Sequence, residues 1–122
     1  MKVGVTSTGE NLEADIDQRF GRCRYFIFVD IESMKFEILP NDNLMASGGA
    51  GIQAAQTIAN KGVQAIITGN VGPNAFQTLS AAGVKIFTGQ SGTIRDAIEK
   101  FKKGELKETQ GPNVGSHSGM MR

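Results

Sequence analysis

Cysteine and histidine are almost missing from this chain. Cys23 and His117 are the sole representatives of their types in 122 residues. A single cysteine excludes an internal disulfide, so the fold needs no oxidising compartment. One cysteine and one histidine far apart in sequence give no support to a catalytic triad. There is no G-x-x-x-x-G-K-[ST], which removes the P-loop nucleotidases, and no complete G-x-G-x-x-G, which weakens a dinucleotide site. No apolar run is long enough to cross a bilayer. The opening "MKVGVTSTGE" turns polar after Val5 and lacks the apolar stretch of a signal peptide. The formal net charge of +1 supplies neither a basic field for nucleic acid nor an acidic tail. With 39% hydrophobic and 20% charged residues, the expectation is a single soluble cytoplasmic domain with no nucleic-acid or membrane partner.

What the chain does have is glycine, 16 residues of it, gathered in "ASGGAG", "ITGNVGPNA", "FTGQSGT" and the terminal "GPNVGSHSGMMR". The front half reads as strands. "KVGVTS" alternates Val3 and Val5 with small or polar neighbours, "YFIFVDI" is aromatic and β-branched, and "KFEILPN" follows closely enough for a hairpin. The back half alternates. "GGAGIQAAQTIANKG", "VGPNAFQTLSAAG" and "SGTIRDAIEKFKKG" have apolar residues at helical spacing and end on Gly62, Gly83 and Gly104, with Pro73 in a first turn. "VQAIITG" and "VKIFTG" between them read as strands. Strand–helix alternation implies parallel strands with right-handed crossovers. The predicted fold is α/β: a three-layer domain over residues 1–108, its mixed five-stranded sheet carrying helices on both faces, then a flexible tail over 109–122. The first strand is expected between the hairpin and "QAIIT", which places a crevice at the strands' carboxyl ends.

Three helices are expected to open at that edge, each with a capping-type residue (Ser47, Asn70, Ser91) beside glycine. Helix starts carry free N–H groups and partial positive charge, and glycine lets an anion approach the backbone. Two readings fit: an anion site lined by Ser7, Thr8, Arg22, Ser47, Gly48, Gly49, Gly69 and Asn70, or simple tight turns. "DQRFGRCRYF" poses a similar choice. Arg19, Arg22 and Arg24 surround Cys23, and positive charge lowers a thiol's pKa and favours the metal-binding thiolate. Arginine also grips oxyanions in bidentate fashion. The alternative is a small thiol packed beneath Phe20 and Tyr25, with the arginines in solvent. His117, with Met120 and Met121, is either a soft metal ligand or part of a mobile tail. Asp15, Asp17 and Asp30 are too few and ill placed for a two-metal nuclease, because the predicted central strand offers no carboxylate.

Taken in order, "MKVGVTS", "DQRFGRCRYFIFVD" (an acid–x–x–Phe–Gly–Arg–x–x–Phe pattern), "GGAG", "ITGNVGPNAF" and "KIFTGQSGTIRDAI" resemble the dinitrogenase iron–molybdenum cofactor biosynthesis family of small nitrogenase-accessory proteins, across Met1–Gly104. The resemblance implies a ribonuclease H-like topology. It also implies a non-catalytic binder or carrier of an anionic iron–sulfur or iron–molybdenum–sulfur cluster, or of its precursor. A biosynthetic or acceptor protein would then be the partner, and the chain itself a monomer or weak homodimer. Arg19, Arg22 and Cys23 fall in the signature segment, and Cys23 and His117 are the soft ligands available. Family members tied to nitrogenase often carry histidine or cysteine near the first helix start, whereas "MASGGAG" has neither. The alternative on the same scaffold is a metal-free small-anion or nucleotide-binding regulatory module.

Overall fold

A computed structural model describes residues 1–41 and 49–113. Five strands form one sheet: β1 (Lys2–Ser7), β2 (Tyr25–Asp30), β3 (Phe36–Pro40), β4 (Ala65–Ile67) and β5 (Lys85–Phe87), in the order β3-β2-β1-β4-β5. The β1–β2 and β2–β3 pairs are antiparallel, while β1–β4 and β4–β5 are parallel. The sheet is therefore mixed, with β1 at its centre, as the sequence predicts. The second strand stops at Asp30, one residue before the predicted end. Asp30 Oδ1 accepts from the Glu32 and Ser33 N–H groups at 3.0 and 3.4 Å and turns the chain into the hairpin.

The helices are α1 (Ala50–Asn60), α2 (Pro73–Ala81) and α3 (Ile94–Lys102). Side chains of a strand alternate between faces, and each face here has its own apolar core. Phe26, Phe28, Ile66 and Ile86 pack with Ala54, Ala55 and Ile58 of α1 and with Ala75 and Leu79 of α2. Val3, Val5, Ile27, Val29, Ile67 and Phe87 pack on the other face with Ile94, Ala97 and Ile98 of α3. Phe87 and Phe101 meet edge to face at 5.4 Å. Helix α3 carries its own start and stop signals: the Thr93 hydroxyl accepts from the Asp96 N–H at 3.1 Å, Asp96 sits in the first turn, and Lys100 and Lys102 in the last.

The tail expected from 109 onward is not free over its first part. The Thr109 N–H donates to the Ile86 carbonyl at 2.7 Å, and Thr109 Oγ1 accepts from the Thr88 N–H at 2.8 Å. Asn113 is anchored beyond it, as described below. A segment with few apolar residues is held here by hydrogen bonds, which leave no periodic trace in a sequence. The rest of the predicted tail, His117 included, lies outside the described residues. Among the described residues no helix is long and apolar enough to cross a membrane.

Candidate functional site

The loop between β1 and β2 is folded around one buried carboxylate. Asp17 is 3% exposed. Its Oδ1 accepts from the Arg19 N–H at 3.1 Å and from Arg19 Nε at 3.2 Å. Its Oδ2 accepts from Arg19 Nη2 at 3.3 Å and from the Arg24 N–H at 3.2 Å. These contacts bend "DQRFGRCR" into a hook and hold the Arg19 guanidinium more firmly protonated than usual, chiefly through its hydrogen bond with Asp17. Asn41, just past β3, closes the hook from behind, its Nδ2 donating to the Gly21 and Cys23 carbonyls at 3.1 and 2.9 Å. The sequence reading passed over both roles. In the sequence Asp17 stands out as the acid of the Phe–Gly–Arg pattern and as one of three aspartates weighed and rejected for a two-metal site, and nothing marks Asn41.

The front of the hook lies against the start of α1. A Cβ on Gly21 would come within 2.9 Å of both the Gly51 Cα and N. Only a bare backbone fits this close. Its side lies against the β4–α2 turn, where the Gln18 carbonyl accepts from the Asn70 N–H at 2.9 Å and from Asn70 Nδ2 at 3.0 Å, and the Phe20 N–H donates to the Asn70 carbonyl at 3.2 Å. Three segments thus enclose a crevice of about 550 Å³, with Arg19, Phe20 and Arg22 on one wall, Gly49 and Gly51 on the second, and Asn70 and Asn74 on the third. That is within the range of small-molecule sites.

Two helices point their N-termini into the crevice, and neither is capped. The N-cap of α1 is Gly49 and that of α2 is Gly72; neither receives a side-chain cap, and neither helix has an acid in its first turn. Among the described residues, neither N-cap residue offers a side chain to these first-turn N–H groups. The third helix differs from expectation. Thr93, not Ser91, caps α3, and the chain there bonds to the 12–16 segment (Ile16 N–H to Gly92, Ile94 N–H to Ala14), so its start does not line the crevice. Asn70 does not cap α2; its side chain ties the turn to the hook instead.

The other predicted site residues divide clearly. Arg19, Arg22, Gly49 and Asn70 line the crevice together. Gly69 stands behind it, where a Cβ would lie 2.7 Å from the Gln18 Cα, so its smallness serves the close packing of turn on hook. The side chains of Ser7 and Thr8 are engaged in folding the loop, Ser7 Oγ donating to the Gly9 carbonyl at 2.7 Å and Thr8 Oγ1 to the Asp15 carbonyl at 3.1 Å. Ser47 and Gly48 lie outside the described residues, as does His117.

Cys23 answers its two readings through burial. It is 0% exposed in the core beside Phe20 and Phe26. Burial first, and then the Asp17 charge, push its pKa far above the ordinary thiol value, and the opposing pull of Arg19 is small. The depressed pKa expected from flanking arginines is reversed, because Arg22 and Arg24 are exposed while the sulfur between them faces the core. Cys23 is thus packed in the core and is not among the residues lining the crevice. Among the described residues no group of three or more His, Cys, Asp or Glu side chains could hold a metal ion. The groups offered by the crevice are guanidinium, amide and backbone N–H donors.

Comparison with known proteins agrees with this layout. The model of a family described as dinitrogenase iron–molybdenum cofactor matches residues 1–104. An uncharacterised protein of Methanocaldococcus jannaschii is 33% identical over 96 residues, covering 76% of this chain and 81% of its own length. Among solved structures, the apo form of the orange protein from Desulfovibrio gigas superposes with a TM-score of 0.89 at 40% identity, over 92% of this chain and 95% of the other. A putative NifB protein from Thermotoga superposes with a TM-score of 0.76 at 40% identity, over 88% and 91% of the two chains.

Proposed function

The chain belongs to the dinitrogenase iron–molybdenum cofactor family, and from that premise we propose that its crevice is a non-catalytic carrier site for an anionic iron–sulfur or iron–molybdenum–sulfur species or a precursor of one. The observation that carries the reading is the pair of uncapped helix starts facing Arg19 and Arg22 across one cavity. Helix N-termini and guanidinium groups are both donors, and both favour negative charge. A polyanion with several acceptor atoms would meet several of these donors at once. The similar orange protein was solved as an apo form, a description that fits a protein with a removable group. The cargo would be gripped by charge and hydrogen bonds, leaving it free to pass to a biosynthetic or acceptor protein. The strand order, with β2 alone antiparallel to β1 among the two neighbours of the central strand, supports assigning the fold to the ribonuclease H-like class.

Tetrathiomolybdate, a dianion presenting four soft sulfur acceptors, is a suitable probe, with pyrophosphate as the competing oxyanion. Calorimetric titration under anaerobic conditions should show binding of tetrathiomolybdate that pyrophosphate displaces poorly. Arg22→Ala should weaken it about tenfold or more, through loss of a charge-assisted contact of roughly 1.5–3 kcal/mol. Tight pyrophosphate binding with no uptake of the thiomolybdate would instead establish the metal-free anion module. Unchanged affinity in the variant removes Arg22 from the site.

A further inference from the structure

The part of the chain beyond the family match reaches back to the crevice and braces one of its walls. Asn113 makes four contacts with the β4–α2 turn. Its Oδ1 accepts from the Val71 N–H at 2.8 Å, its Nδ2 donates to the Gly69 carbonyl at 3.0 Å and to Asn70 Oδ1 at 3.1 Å, and its own N–H donates to the Val71 carbonyl at 3.2 Å. One side chain thereby pairs with the turn as a strand neighbour would, sharing the Gly69 carbonyl with the Gly89 N–H, which donates to it at 2.7 Å. The consequence for Asn70 is directional. With Oδ1 accepting from Asn113, its Nδ2 is aimed at the Gln18 carbonyl, 3.0 Å away on the hook that carries Arg19 and Arg22. A line of hydrogen bonds then runs from Asn113 through Asn70 to Gln18 and Phe20. The upstream anchor at Thr109 and Thr88 reaches the hook only by a longer path, because the Thr88 carbonyl accepts from Gln90 Nε2 and the Gln90 carbonyl from Gln18 Nε2.

We propose that Asn113 is a positioning residue for the crevice: the 109–113 strap sets the orientation of the Asn70 amide, and through it the separation of the arginine hook from the α2 start. The proposal rests on the reading of the crevice as an anion site, and it gives the function of that site to residues beyond the family-matched portion. It has two parts that are measured apart. The structural part is that Asn113 holds the hook. The functional part is that the hook's position matters for binding.

The test uses the full chain with Asn113→Ala, Asn70→Ala, the double variant, and Thr109→Val as a control that loosens the strap away from the crevice. Amide hydrogen exchange is read at Phe20, whose N–H belongs to the hook and touches Asn113 nowhere. Exchange there should quicken about tenfold in Asn113→Ala and clearly less in Thr109→Val. Affinity for tetrathiomolybdate should fall about fivefold in Asn113→Ala, and by no further amount when the substitution is added to Asn70→Ala, as expected of residues acting in series. If the wild-type chain binds no probe, the anion reading falls, and the Phe20 exchange rate still decides the structural part. Unchanged Phe20 exchange in Asn113→Ala overturns the proposal. So does an affinity loss that Thr109→Val matches, or one that adds in full to that of Asn70→Ala. Should Asn113→Ala fail to fold, Asn113→Asp keeps the acceptor for the Val71 N–H, loses both side-chain donors, and must show the same quickening at Phe20.

Discussion

Cys23 shows how one residue's neighbours in sequence mislead about its neighbours in space. Arg22 and Arg24 point outward and leave the sulfur between them in the core. Desolvation then outweighs any nearby positive charge, and the folded thiol resists ionisation. The sign of the pH effect follows. A thiol whose folded pKa lies above its ordinary value of 9.0 binds its proton more tightly in the folded state. The stability linked to it is complete below that value and declines as pH rises past it, by about 1.4 kcal/mol per pH unit. Urea unfolding at pH 8 and pH 10 should therefore show wild type losing about 1–2 kcal/mol more than Cys23→Ala over that interval. An equal loss in both would mean that the thiol ionises freely. At neutral pH iodoacetamide should label native Cys23 slowly and the urea-unfolded chain fast. Asp17 is the companion case. It is one of four acids in the loop, with Glu10, Glu13 and Asp15, and nothing in its sequence context singles it out as the buried centre of the hook. Its role depends on four donors that the fold delivers from Arg19 and Arg24.

At the scale of elements, what was readable is what repeats. Apolar spacing marked all three helices and all five strands, and glycine marked the helix ends, because burial of a face leaves a period in the sequence. The helix starts were legible as places but not as chemistry. The sequence offered three equivalent caps at one edge; the structure leaves two uncapped at the crevice and seals the third with Thr93. The difference lies in the 12–16 segment crossing to α3, a long-range contact with no local signature. The joint between the hook and α1 is the most sensitive of these contacts. Backbone meets backbone there, so no side chain can rotate aside for an added methyl. Gly21→Ala should destabilise the protein by about 1–3 kcal/mol, as overpacking does elsewhere. It should also displace the hook from Gly51, so that tetrathiomolybdate affinity falls even at temperatures where the variant remains folded. Denaturant midpoints and titration together check it. A variant as stable as wild type with intact binding would show that hook and helix are not held in contact.

For the molecule as a whole, the mixed sheet with β1 at its centre followed from the order of its parts, and with it the position of the crevice. The way the chain closes on itself did not follow. The predicted boundary between domain and tail, at 108, reflects a loss of apolar residues, yet the fold continues through hydrogen bonds to Asn113. Leu106 also packs against the α3-side core. The described fold thus continues beyond the residues matched by the family model, 1–104. Chains ending at Asn113 and at Gly104 isolate that difference. The shorter one loses the Thr109 contacts with Ile86 and Thr88, the Asn113 contacts with Gly69, Asn70 and Val71, and the packing of Leu106. These contacts are expected to outweigh the freedom regained when nine residues no longer need ordering, so the shorter chain should melt lower by at least about 5 °C. Scanning calorimetry of the two chains decides it. Melting within about 2 °C of each other would mean that the strap rests on the fold without supporting it.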